Sequence, residues 1–354
     1  MYHSFYNLKE QPFRLTPDPA FMCMTANHQE ALAGLVYSVC TRPGLTVLTG
    51  EAGTGKTTLL YALLDLLEKR RFITTICTNP VLSREELFDF LTAKFATGCT
   101  SPLKSRQLAA LQETLLRNRM EGRPSVLIVD EAQRLSMDLL EEIRLLLNME
   151  TPREKLLQII ISGQPELMDM LQRPELRQFK QRVSCQCKLS PLSTDDVREY
   201  IDHRLAQAGL PQQSLFSDAV IRRIHEYSEG IPRLVNSICD ASLQTGFALH
   251  SPEVTIAIVD EVAKDLDLRR LVPRGLEPLE PMEPVMVAPP PPVIRQTNGH
   301  AADFTDGLSN GNGYHPTRST ESRVPPTEKR VPLESYASRK KTLSFFAQLM
   351  DRWK

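Results

Sequence analysis

The run Gly50-Glu51-Ala52-Gly53-Thr54-Gly55-Lys56-Thr57 directly follows the apolar stretch Leu45-Thr46-Val47-Leu48-Thr49 and leads into Thr58-Leu59-Leu60-Tyr61-Ala62-Leu63-Leu64. A strand, a glycine-rich loop and a helix in that order leave a chain few folds. Such a loop curls so that successive N–H groups converge on phosphate oxygens, while the helix presents its positive end to the same charge. In this reading Gly50, Glu51, Ala52, Gly53, Thr54, Gly55, Lys56, Thr57 and Thr58 cradle the phosphates of a nucleoside triphosphate. Lys56 reaches the outer phosphates and the Thr57 hydroxyl ligates Mg²⁺. A glycine-rich hairpin turn is the competing structure, but it has no use for a Lys-Thr pair opening a helix.

From Leu45 to Leu189 short apolar strands alternate with amphipathic helices, which predicts an α/β domain with a parallel sheet covered on both faces. Strands are expected at 72–77, at Val126-Leu127-Ile128-Val129 and at Leu157-Gln158-Ile159-Ile160-Ile161-Ser162, with a last one entered at Arg182. Ser83 with Glu86 forms a capping box for a helix to about Phe95, and Ser136 caps another. After Pro191 the strands stop. Start and stop signals at Ser193, Gly209, Ser217, Gly230, Pro232 and Ser251-Pro252 then predict a small all-helical domain ending near Leu268. The expected partition is 1–44, a 45–191 α/β core, a 192–268 helical lid, a 269–338 linker and a 339–354 amphipathic basic helix. The linker is expected to be disordered, because 12 of the 26 prolines fall after Leu271 and the 298–313 stretch is rich in Gly and Asn. In the last segment Leu343, Phe346, Leu349, Met350 and Trp353 follow helical spacing between basic residues, as in a helix that docks on a partner or an anionic membrane; a frayed end is the alternative.

The chemistry concentrates where the strands end. Asp130 and Glu131 close the Val126-to-Val129 strand, at the sheet edge where ligands of open α/β folds bind. Asp130 can support the Mg²⁺ through its water shell, and Glu131 is placed to deprotonate the attacking water; a helix-capping acid is the plainer role. Gln164 follows the next strand and can sense the outer phosphate, with Ser162 as the competing candidate. Arg233, in Gly230-Ile231-Pro232-Arg233, can reach back from the lid to the phosphates or lie on the surface. Arg182, ahead of Arg177, can act on a neighbouring subunit's nucleotide as an arginine finger.

Composition narrows the remainder. With 42 Lys and Arg against 43 Asp and Glu the net charge is −1, so no bulk field draws the chain to nucleic acid or lipid, and any such contact needs a local patch. Arg222-Arg223 and the basic tail are the modest candidates. The seven cysteines lack zinc-ligand spacing and fit a reducing cytoplasm; Cys185 and Cys187 fall on one strand face with Val183, as buried small hydrophobes do. No stretch approaches the ~20 apolar residues of a membrane span.

Phosphate loop, Asp130-Glu131, polar sensor, pre-strand arginine and Gly-x-Pro-Arg, in this order over the first three quarters of the chain, resemble an AAA+ ATPase. More narrowly, Tyr6-Asn7-Leu8-Lys9-Glu10-Gln11-Pro12-Phe13-Arg14-Leu15-Thr16-Pro17-Asp18-Pro19, His28-Gln29-Glu30-Ala31-Leu32, Asp130-Glu131-Ala132-Gln133 and Gly163-Gln164-Pro165-Glu166-Leu167 resemble the general secretion pathway A (ExeA-like) ATPases, near the origin-recognition (ORC) and transposition-helper (TniB) branches. The resemblance implies an AAA+ P-loop fold with a helical lid, ATP and Mg²⁺ as ligands, and the segment between Pro12 and His28 on the adenine side. It also implies a homo-oligomer coupling hydrolysis to a protein partner in a secretion or envelope-export assembly; the cysteines point to the cytoplasm, and the terminal helix to peripheral contact with the inner membrane. The alternative is a nucleotide-controlled DNA-binding ATPase of the transposition or replication-helper type. Secretion-type members usually continue into a membrane span and a peptidoglycan-binding domain, whereas a proline-rich segment follows here.

Overall fold

The computed structural model describes residues 2–269 apart from 17–20, 97, 100 and 211–214. The expected tail helix, and all but the first residue of the expected linker, lie outside the described residues.

Five parallel strands, β1 (Leu45–Gly50), β2 (Ile73–Cys77), β3 (Ser125–Val129), β4 (Leu157–Gly163) and β5 (Val183–Leu189), form one sheet in the order β2-β3-β4-β1-β5. Because every strand runs the same way, all five carboxyl ends share one edge. β3 and β4 are buried along their whole length, as central strands covered on both faces must be, whereas β5 at the border alternates between exposed and covered residues. Successive residues feed opposite cores. Val47, Leu127 and Ile159 pack on one face with Leu91, Leu111 and Ile143, whereas Leu48, Ile128 and Ile160 pack on the other with Leu35 and Leu60. The first face is covered by α4 (Arg84–Phe95), α5 (Lys104–Met120) and α6 (Met137–Leu146), the second by α2 (Ala26–Thr41) and α3 (Lys56–Lys69). Ser83 and Glu86 form the expected capping box, and Ser136 accepts from the Leu139 N–H. Cys187 lies buried in the second core with Cys185 packed against it.

Beyond the short α7 (Glu166–Leu171) and α8 (Arg177–Lys180), four helices follow the sheet: α9 (Thr194–Gln207), α10 (Asp218–Ser228), α11 (Pro232–Ala248) and α12 (Ile256–Asp265). They enclose a third core, which also takes in Tyr2, Tyr6, Leu8, Phe13 and Phe21 from the start of the chain. Phe13 meets Phe216 edge to face, the Lys9 N–H donates to the Ala208 carbonyl at 2.8 Å, and the Tyr6 hydroxyl donates to the Ser251 carbonyl at 3.0 Å. The first residues, with helix α1 (Tyr2–Phe5), therefore fold as part of the lid.

Candidate nucleotide site

The loop between β1 and α3 needs glycine where it turns against the lid. Gly53 has φ +83°, and a Cβ there would stand 2.8 Å from the Arg233 Cβ and 3.1 Å from the Ile231 Cγ2. The Arg233 N–H, at the start of α11, donates to the Gly53 carbonyl at 3.3 Å. Phosphate loop and lid are thus in direct backbone contact. The first turn of α3 carries Lys56 and Thr57, so both side chains emerge beside the loop. Lys56 is 5% exposed, and its ammonium donates to the carbonyls of Gly50 at 2.8 Å and Glu51 at 2.9 Å. Burial pulls its pKa below the usual lysine value, while the carboxylates of Glu131, Asp130, Glu51 and Glu166 act in the opposite sense.

The Thr57 hydroxyl donates to Asp130 Oδ2 at 2.6 Å, and the other Asp130 oxygen accepts the Glu131 N–H at 3.0 Å. A buried carboxylate and a hydroxyl this close are hard oxygen donors of the kind Mg²⁺ takes one or two of, phosphates and water supplying the rest. Among the described residues no group of three or more His, Cys, Asp and Glu could hold a metal on its own. Glu131 adopts the left-handed conformation, φ 53°, which a non-glycine residue holds only when its surroundings over-determine it. Gln133 supplies part of that constraint. Its amide donates to Glu131 Oε2 at 2.6 Å and its oxygen accepts the backbone N–H of Gln164 at 3.2 Å.

A cleft of about 490 Å³ joins these parts, within the range of small-molecule sites. Lys56, Thr57, Glu131, Gln164 and Arg233 line it together with the loop, at the carboxyl edge of the sheet. Ser162 does not line it; its hydroxyl is buried with no hydrogen-bond partner. Arg177 and Arg182 lie elsewhere. Arg182 precedes β5, whose first residue Val183 pairs with Leu45 at the entry of β1, so about 20 Å of strand separates it from this subunit's loop. Any action on a nucleotide is therefore on a neighbour's.

The rest of the lining comes from Arg14, Leu15, Thr16, Phe21, Met22 and Cys23 and, from the lid, Tyr200, Arg204 and Asn236. Arg204 is 7% exposed; its Nε donates to the Pro12 carbonyl at 2.7 Å and its guanidinium lies over the Phe21 ring at 5.5 Å. The Tyr200 hydroxyl donates to Asn236 Oδ1 at 3.0 Å. None of these three lid residues is marked by a motif, although Asn236 follows Arg233 by three, one turn along the same helix face. His28, under the loop, pairs through Nδ1 with Thr25 Oγ1 at 2.7 Å and through Nε2 with the Thr54 carbonyl at 3.3 Å.

Comparison with known proteins bears on the family and the fold. Residues 40–171 match the AAA domain family. Over 255 residues the chain is 41% identical to General secretion pathway protein A of Aeromonas hydrophila, covering 72% of this chain and 46% of that protein. The chain thus spans about half the length of the curated relative it matches. Among solved structures it is similar to the Drosophila ORC bound to DNA (TM-score 0.56, 16% identity, 75% of this chain and 66% of that one). It is also similar to the Aeropyrum pernix ORC2 protein (0.52, 14%, 73% and 71%) and to Cdc6p of Pyrobaculum aerophilum (0.51, 18%, 74% and 70%). At these identities the likeness is one of fold.

Proposed function

The chain belongs to the AAA+ P-loop NTPases, on the general secretion pathway A side of that class, and from this we infer that it binds and hydrolyses ATP with Mg²⁺ and uses the change to move its lid. The observation that carries the reading is the single cleft into which the phosphate loop, Glu131 and Arg233 all open. Lys56 and the loop N–H groups would hold the phosphates, and Thr57 and Asp130 would hold the metal. Bound Mg²⁺ would neutralise charge on the outer phosphates. Glu131 takes a proton from the attacking water with the carboxylate oxygen that Gln133 leaves free, and Gln164, tied to the same Gln133, reports the outer phosphate.

Because the Arg233 N–H is bonded to Gly53, a side chain that follows the outer phosphate also pulls on α11, which turns nucleotide state into lid angle. Arg182 serves the adjoining subunit of a homo-oligomer. The likeness to General secretion pathway protein A supports a protein partner in a secretion or envelope-export assembly. A DNA-controlled role has less to stand on. Arg223 of the Arg222-Arg223 pair is bound to Asp260 and Glu226, which leaves one exposed arginine there.

The test is phosphate release from ATP by the purified full chain. Release is expected with Mg²⁺, absent with a chelator, and absent in Lys56→Ala together with nucleotide binding. Chelator-resistant release, or a Lys56→Ala protein that binds and turns over normally, would sink the reading.

A further inference from the structure

The edge of the sheet opposite the cleft is where every strand begins, and three neighbouring entries there share an unusual make-up. The connections into β2, β3 and β4 are residues 68–72, 117–124 and 150–156. Together they hold eight basic residues against four carboxylates, in a chain whose net charge is −1. Strand order makes them adjacent: the Ile73 N–H donates to the Pro124 carbonyl at 2.9 Å, and Arg119 Nε reaches Glu154 at 2.5 Å across to the third connection. The outer entries are only about 10 Å apart at ordinary strand spacing.

Pairing takes up three of the four carboxylates, and Lys69 meets Asp65 of α3, which leaves exposed Glu68 beside the remaining arginines. Glu154 is shared by Arg42 and Arg119, Glu150 is held by Lys155, and Glu121 by Arg123. Arg71, Arg117 and Arg153, one from each connection, are exposed, and none pairs with a carboxylate among the described residues. Lys69, Arg117 and Arg119 sit in last helical turns, where they also offset helix dipoles, but Arg71, Arg123 and Arg153 lie beyond the helices. In the middle of the patch Met120, at the end of α5, is 82% exposed, with Leu116 one turn back at 42%.

We propose that this strand-entry edge seats on an anionic phospholipid surface, with Arg71, Arg117 and Arg153 meeting headgroups and Met120 with Leu116 dipping below them. Exposed arginines on adjacent connections, with a protruding apolar side chain on the middle one, suit the charged, then greasy, profile of a lipid interface. A nucleic-acid backbone would use the charges and give Met120 no role. The cleft opens at the other edge of the sheet, so a seated core keeps access to nucleotide. Arg182, at the β5 end of the row, lies near enough for its charge to act on Glu150 of the third connection, and it is not one of the three arginines assigned to headgroups.

The test is sedimentation of the full chain with vesicles of phosphatidylcholine alone and with about 30% phosphatidylglycerol added. Binding is expected on the anionic vesicles only. Arg71→Glu, Arg117→Glu and Arg153→Glu combined should lower the partition coefficient at least fiftyfold, and Met120→Gln about threefold, with melting temperature and ATP turnover in solution kept. Equal pelleting with both vesicle types, no pelleting with either, or variants that bind as the wild type would each overturn the proposal. So would duplex DNA binding that is lost in the arginine variant and kept in Met120→Gln, with no vesicle binding.

Discussion

Single residues in this cleft do two things at once, and that makes their substitutions separable. Gln133 donates to Glu131 and accepts from the Gln164 N–H, so it orients the base we propose without touching the phosphate loop. Gln133→Ala should lower kcat about tenfold, the worth of one hydrogen bond to a charged group, and leave the nucleotide Kd within about threefold. Equal losses in both would mean that Gln133 only supports the fold. His28 makes a different prediction. Burial lowers its pKa from the ordinary 6.5, with the bond to Thr54 opposing, so near that pH the unfolded chain binds more protons than the folded one. The His28 contribution to stability is then lost as pH falls through the ordinary imidazole value, and His28→Asn should flatten that part of the melting-temperature profile.

At the scale of elements, the turn into α11 fixes the lid. Gly230 has φ +71°, and a Cβ there would stand 2.0 Å from the Leu192 carbonyl oxygen, whose residue also donates its N–H to Gly230 at 2.8 Å. Gly230→Ala should cost at least about 2 kcal/mol and lower the melting temperature by several degrees; an unchanged transition would remove this turn from its role. The same elements mark what a sequence can disclose. Capping at Ser83 and Ser136, the strand at Val126 to Val129 and the loop at Gly50 to Thr57 are legible because their cause lies within a few residues. Helix α5 carries no such mark, since Leu103 at its start offers no side-chain cap. Arg204, Tyr200 and Asn236 reach the cleft only after α9 and α11 pack on residues from the start of the chain, a contact between segments some 190 residues apart. Ser162 and Gln164 flank one strand end, and pleat and packing alone decide which of them faces the cleft.

For the whole molecule, the sheet divides the labour. One edge carries the cleft and meets the lid at Gly53; the other carries Arg182 and the basic entries. Among the described residues no helix is long and apolar enough to cross a membrane. In the cycle we propose, lid movement and partner engagement follow from one event, the attack of water under Glu131. Nucleotide affinity and ATP turnover measured side by side on the wild type and Glu131→Gln test it most directly. Affinity should stay within about threefold while turnover falls at least a hundredfold, the scale of a lost general base. A Glu131→Gln protein that hydrolyses ATP at the wild-type rate would contradict that chemistry and the lid cycle built on it.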